Sequence, residues 1–286
     1  MVTLQEVTER RAARATSIAV RRTKKRARAQ WWQPVVVLAL LVGVWWLVAT
    51  YYDKSKGLAF LVPYPHLVLQ ALVHDTTQAT FNQELWQALG RSTTVALTGL
   101  AIAIVIGVAW AVVMSQAKWL ERSLYPYAVV LQCVPILALV PLIGALFGYG
   151  FPSRVIVTVM IALFPMVSNT LFGLQSTDKG QRELFQLQGA GRGTRLAKLQ
   201  LPAAMPSIFV GLRTSAGLSV IGAIVGDQFF QRGNPGLGVL IQVTASRLMG
   251  PELYATIIVA SLLGVAVFLL FGLLGRLAVG RWYDFS

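Results

Sequence analysis

Six stretches of this chain are apolar for long enough to cross a bilayer: about 34–52, 92–114, 124–148, 155–175, 205–228 and 253–275. A spanning helix needs ~20 such residues. In hydrocarbon the backbone polar groups must pair within the segment itself, so each stretch is predicted to be an α-helix. No run alternates apolar and polar residues over the length of a barrel strand. The alternative for each stretch is a long buried core helix. Composition weighs against that for six stretches together, because only 13% of the residues are charged, against about 25% in soluble domains. The 286 residues would otherwise suggest about two soluble domains. A disordered chain is excluded too, since 56% of the residues are hydrophobic. Trp31, Trp32, Tyr51 and Tyr52 flank the first stretch, and Trp282 and Tyr283 follow the last. Such rings sit at membrane–water interfaces.

The charges set the orientation. Residues 1–30 carry nine Lys/Arg and two acids, Glu6 and Glu9, of a formal net charge of +14 for the whole chain. With the N-terminus inside, the inner segments collect nineteen of the 25 Lys/Arg and the outer segments six. The positive-inside rule therefore predicts both termini in the cytoplasm. Residues 1–30 read as a basic cytoplasmic tail held near anionic lipid, and 31–286 as one six-helix transmembrane domain. A nucleic-acid role would need a binding fold beside the basic patch, and none follows it. A cleaved signal peptide fits poorly, because no small-residue cleavage site follows the first apolar stretch and further spans come later.

Several chemistries are excluded. Cys133 is the lone cysteine, and with only His66 and His74 it makes no zinc-ligand set. No span holds an acid at mid-membrane: Arg91 and Asp227 fall near outer ends and Arg213 near an inner one. Coupling ions are carried by such intramembrane groups, which argues against a proton- or sodium-driven carrier. It argues equally against a membrane hydrolase built on paired carboxylates or a Ser–His pair. The run Gly189-Ala190-Gly191-Arg192-Gly193 lacks the Gly-Lys-Ser/Thr ending of a phosphate-binding loop, so it reads as a turn. No cofactor is expected in this chain.

Three polar connections stand out. Pro63 and Pro65 precede His66–Val73, where Leu67, Val68, Ala71 and Leu72 recur at helical spacing, a surface helix on the outer side. Between the fifth and sixth spans, Arg232 to Gly238 carries Asn-Pro and Pro-Gly turn signals, with a short helix expected over Val239–Arg247. The inner stretch 176–204 reads as a helix (Gln181–Gln188), a glycine turn (189–193) and a second helix (Thr194–Leu199). Thr194 is the expected cap and Pro202 the expected stop. Such a stiff knob between two spans is either a solvated connector or a functional element.

Glu183-Leu184-Phe185, Gly189 after three intervening residues, and Leu199-Gln200-Leu201-Pro202 after nine more resemble a known cytoplasmic motif. It belongs to the permease subunits of binding-protein-dependent ABC importers. Glu183, Gly189, Leu201 and Pro202 match it at the right spacing; Leu184 and Phe185 stand where the motif has alanines. Leu61–Gly150 is similar to the nitrate/sulfonate/taurine branch of these permeases, notably through 134–142 and Phe147-Gly148-Tyr149-Gly150. Phe164-Pro165, Asn169-Thr170 and 202–206 are similar to it as well.

The resemblance implies an all-α, type I importer permease in the plasma (inner) membrane of a prokaryote, not itself an enzyme. It implies a partnership with a second copy or a homologous permease, two cytoplasmic ATPase subunits that bind ATP and Mg, and an extracytoplasmic substrate-binding protein. The 181–202 stretch would dock on the ATPase, with Glu183 and Arg192 in polar contact, Gly189 in the turn, and Leu201 and Pro202 leading into the fifth span. Substrates of this branch are small anions such as nitrate, bicarbonate, taurine and sulfonates, or vitamin-like riboflavin and pyrimidine precursors. A stand-alone channel or secondary carrier is the alternative.

For the translocation path the candidates are Met160, Phe164 and Asn169 in the fourth span, with Ser215 and Ser219 in the fifth. Gly211, Ser215, Ser219, Gly222 and Gly226 also form a small-residue stripe, which more often marks close helix packing than a pore. Gly144-x-x-x-Gly148 receives the same reading. Asp227 is a candidate contact for the binding protein or a cap for a local helix end.

Overall fold

The structure is a computed structural model that describes residues 32–58, 60–73, 79–234 and 236–280. The basic tail, Trp31, His74, Pro235, Arg281, Trp282 and Tyr283 lie outside the described residues. The chain divides after Leu67 into two compact units.

In the first unit, α1 (Trp32–Lys56) is the first apolar span. Gly57 ends it at φ +60, a left-handed turn natural to glycine. The chain then doubles back. Tyr64 donates its hydroxyl hydrogen to Asp53 Oδ2 at 3.0 Å, and its ring lies 5.6 Å from that of Trp46. His66 stands 5.3 Å from the same Trp46 ring. Pro65 then begins the short helix α2 (Pro65–Val73), as the apolar spacing predicts.

The second unit is built on α3 (Ala79–Ser115), α6 (Phe151–Gln175), α9 (Leu201–Phe229) and α11 (Gly250–Val279). All four meet in a core of Val95, Leu100, Val155, Val220, Ala223 and Val267. A second core, with Met114, Val167, Leu171, Leu174 and Ala204, fills the end where α3 and α6 finish and α9 begins. At the opposite end Phe81, Leu85, Leu237 and Val259 pack together, bringing in α10 (Leu237–Ser246).

The third predicted span differs from expectation. It is not one helix over 124–148 but two, α4 (Lys118–Cys133) and α5 (Ile136–Phe147), bent by 95°. Pro135 is the cause. A residue before proline is pushed out of the helical region, and Val134 is extended at φ −64, ψ 126. Among the described residues, five helices are thus long enough to span alone, or six spans if the bent pair counts as one.

The end of the polar connection also differs. The expected helix Gln181–Gln188 is α7 (Lys179–Leu187). The next helix, α8 (Arg192–Arg195), is preceded by Gly191 in extended conformation, so Thr194 lies within it and is not its cap. Pro202 does not stop it. α8 passes through a π-turn, Leu196–Gln200, straight into α9, where Pro202 sits in the first turn. Leu201 donates its N–H to the Leu196 carbonyl, five residues back. A π-turn is wider than an α-turn, which gives room for a proline ring that would otherwise press on the carbonyl four residues earlier.

Candidate functional site

The hairpin 178–200 leaves the membrane-spanning helices at the end where α3 and α6 finish. Gly189 makes the turn at φ +70, with its N–H donating to the Gln186 carbonyl at 2.9 Å. A side chain there would force the left-handed region, which costs an L-residue roughly 1–2 kcal/mol. Glu183, Gly189, Arg192 and Pro202 are exposed and Leu201 is half-buried. The motif residues thus lie along one continuous outward segment. Two apolar side chains stand out on this polar hairpin: Leu184 is 53% exposed and Leu187 is 87% exposed.

Sequence reasoning missed what fixes the hairpin to the bundle. The Arg182 guanidinium donates to the Gln175 carbonyl at 2.8 Å, to the Leu174 carbonyl at 3.4 Å, and to the Thr177 hydroxyl. It therefore closes the last turn of α6, where carbonyls lack helical partners and the dipole favours a cation. The available signal was a basic residue seven positions after a helix end.

The small-residue stripe proves to be a packing seam. A Cβ at Gly222 would stand 2.8 Å from the Thr158 Cα, and one at Gly226 3.0 Å from the Arg154 Cα. At Gly211 it would stand 2.8 Å from the Asn169 Cβ. Ser215 is fully buried and donates across the seam to the Ala162 carbonyl at 2.8 Å. Ser219 is fully buried and donates to Ala216 of its own helix. Small residues let α9 press backbone to backbone on α6. Gly144 and Gly148 do not form such a seam. Gly144 faces the ring of Tyr149, and Gly148 ends α5 at φ +78.

The five path candidates are therefore not gathered on one lining. Ser215 and Ser219 lie inside the protomer. Asn169 donates to the Pro165 carbonyl at 2.8 Å and sits against Gly211. Met160 and Phe164, one turn apart and half-buried, share a face of α6.

At the opposite end the structure shows a cluster that the sequence did not announce. Asp227, the candidate binding-protein contact, is fully buried within the chain. Ser92 donates to its Oδ2 at 2.5 Å, and Arg154 lies 3.4 Å from Oδ1. Arg154, 3% exposed, reaches further. Its Nε donates to the Phe230 carbonyl at 2.6 Å, Nη1 to Asn234 and Nη2 to Arg232, both at 2.8 Å. Leu237 N–H donates back to Ser92 Oγ at 2.8 Å. One guanidinium and one carboxylate thus tie the 230–238 loop to α3, α6 and α9. Gly236 and Gly238 allow the approach: a Cβ at Gly238 would stand 2.8 Å from the Asp227 Cβ, and one at Gly236 would collide with the Asp227 and Ser92 oxygens.

Comparison with known proteins fits this architecture. Residues 92–282 match the family described as the binding-protein-dependent transport system inner membrane component. The chain is 33% identical over 236 residues to the formylaminopyrimidine transport permease protein ThiX of Halalkalibacterium halodurans, covering 82% of this chain and 90% of that one. It is 32% identical over 249 residues to the riboflavin transport system permease protein RibX of Chloroflexus aurantiacus, covering 87% and 89%. The taurine transport system permease protein TauC of Escherichia coli is 28% identical over 227 residues, covering 79% and 81%.

Proposed function

Because the chain belongs to the family of binding-protein-dependent transport system inner membrane components, we propose that its polar hairpin is the docking element for the ATPase of the importer. The chain is a multi-pass plasma-membrane permease subunit of an ABC importer, in which separate ATPase subunits hydrolyse ATP and a substrate-binding protein delivers solute. Among the structural features, the exposed Leu184 and Leu187 carry the docking proposal. They are exposed on a helix projecting beyond the spans, whose third apolar residue, Phe185, is half-buried, and an apolar patch left open on such a surface marks a protein contact. Glu183 and Arg192 flank them with opposite charges, Gly189 shapes the turn, and Leu201 and Pro202 pass movement of the hairpin into α9. The unbroken run 192–229 supports this last role, since it joins the hairpin to a span without a hinge loop.

The hairpin and both termini are placed in the cytoplasm, on the distribution of Lys and Arg. A second copy completes the path, two ATPase subunits drive it, and Met160 and Phe164 face it. The substrate is a small vitamin-like heteroaromatic compound of the pyrimidine or flavin kind. The relatives at 33% and 32% identity, named for formylaminopyrimidine and riboflavin, support that choice over the taurine-type anions at 28%.

The test is affinity purification in mild detergent after expression from the native operon. A stoichiometric ATPase should co-purify with the wild-type chain and be lost from Glu183→Ala/Leu187→Ser, while the variant keeps the wild-type elution profile. Retention of the ATPase by that variant would remove the hairpin from the docking role. Transport by the purified chain without any ATPase would favour a channel or carrier. Ligand screening on the co-purified binding protein then decides between heteroaromatic and anionic substrates.

A further inference from the structure

Beside the hairpin lies a cleft of about 200 Å³ lined by Ser115, Gln116, Arg182, Gln186, Arg192 and Arg195, closed by Leu199 and Gln200. Three arginines line it, and among the described residues no acid does. Asp178 and Glu183, the acids of this loop, are outside the lining, and both are exposed. Arg182 is held by Thr177 and the α6 carbonyls, which fixes its charge at the cleft. Arg192 and Arg195 have no ion-pair partner among the described residues, where Arg154–Asp227 is the one salt bridge. Like charges held together in a partly enclosed space repel unless an anion joins them. Nothing in the fold requires the cluster for packing, since Arg192 is exposed and Arg195 half-buried.

We propose that this cleft binds a phosphate group at the membrane surface, supplied by the headgroup of an anionic phospholipid. Guanidinium forks match phosphate oxygens in pairs. The amides of Gln186 and Gln200 offer further donors; the Ser115 hydroxyl and the Gln116 amide already donate within the end of α3, to Val112 and Ser115, and present acceptor oxygens suited to a headgroup with its own hydroxyls. The level is also right. Ser115 is the last residue of the α3 span, and Lys118 and Trp119, the latter 67% exposed, begin the next helix beside it. Exposed Trp and Lys mark the interfacial layer where headgroups lie. The inference needs only that this end of the bundle meets the membrane surface. It does not depend on ATPase docking.

The full-length permease, purified and delipidated in detergent, tests it. Bound lipid is counted by native mass spectrometry and thermal stability is followed on adding phosphatidylglycerol, phosphatidylcholine or inorganic phosphate. Phosphatidylglycerol should bind and raise the melting temperature while phosphatidylcholine does not. Arg195→Gln should weaken that binding about tenfold, as expected for losing one charge-assisted contact, and Arg192→Gln/Arg195→Gln should weaken it further. Both proteins keep the basic 1–30 segment, so the difference isolates the cleft. A response to inorganic phosphate, lost in the same variants, supports the phosphate site with a soluble source. Equal lipid binding by wild type and double variant overturns the proposal. So does a double variant that binds lipid normally but loses its ATPase, which would assign the arginines to a carboxylate of that partner. Should the variants fail to fold, the wild-type chain is treated with an arginine-specific dicarbonyl. Phosphatidylglycerol should protect Arg192 and Arg195 from modification, and absence of protection refutes the site.

Discussion

Replacing Arg154 with Met should destabilise the protein more than any conservative change at its partner Asp227. Met keeps the length of the stem but removes every donor. The buried Asp227 carboxylate then loses its counter-charge, and the carbonyls of Phe230, Arg232 and Asn234 lose theirs. Breaking a buried pair by removing one partner costs about 3–5 kcal/mol. The carbonyls of Arg232 and Asn234 can turn to water, because both residues are exposed, whereas Phe230 is fully buried. Its stranded carbonyl adds about 1–3 kcal/mol. Asp227→Asn should cost less, about 1–3 kcal/mol, because an amide oxygen can still accept from Ser92 and Arg154 keeps its three carbonyls. At roughly 2–4 °C per kcal/mol for a domain of this size, Arg154→Met should lower the apparent melting temperature by about 10 °C or more. Asp227→Asn should lower it by several degrees. The double variant should fall short of the sum by about 1 kcal/mol or more, since the two residues share one network. Thermal unfolding in a fixed detergent, followed by fluorescence-detected gel filtration at one heating rate, measures all three. An Arg154→Met protein that melts within about 2 °C of wild type, or one more stable than Asp227→Asn, refutes the clamp.

Three further outcomes follow from the packing and the hairpin. Gly222→Val should abolish recovery of folded protein, because its Cβ would press on the Thr158 backbone; Gly217→Ala, whose nearest neighbour is Phe268 at 3.7 Å, should be neutral or stabilise by up to about 1 kcal/mol, read as yield and melting temperature. Gly189→Val should slow transport at unchanged expression and lower stability by roughly 1–2 kcal/mol, while Gly189→Asn, which tolerates the left-handed region, should keep most of the transport rate. Arg182→Ala should cost about 1–2 kcal/mol through the uncapped α6 carbonyls. It should also reduce ATPase activity stimulated by the binding protein in proteoliposomes; unchanged coupling would separate the anchor from the hairpin's function.

Residues with local physical causes were legible in advance. Five of the six apolar runs, the helix after Pro65 and the turn at Gly189 depend on neighbours within a few positions, and the structure has helices or turns at those places. Local rules also misled. Pro202 reads as a stop, yet a π-turn five residues long lets the helix continue through it. Conversely, the Val134-Pro135 break was hidden inside a run so apolar that hydropathy alone read straight across it, though the proline supplied the reason.

The partners of the polar residues could not be read this way. Arg154 and Asp227 stand 73 positions apart, and Ser92 donates to Asp227 across 135. In sequence each is a polar residue near the end of an apolar stretch, where interface anchors and contact residues look the same. The arginines of the cleft are likewise separate until the turn at 189–191 brings Arg182 and Arg192 to one side. That the chain spans a membrane as helices follows from its apolar runs alone, because hydrocarbon demands backbone bonds that close within each segment. The sequence also carried the spacing of the hairpin motif. Which small residues are seam and which buried charges form a clamp was decided only in the tertiary structure. Packing and ion pairing depend on distances between helices, and those are fixed by all four core helices at once.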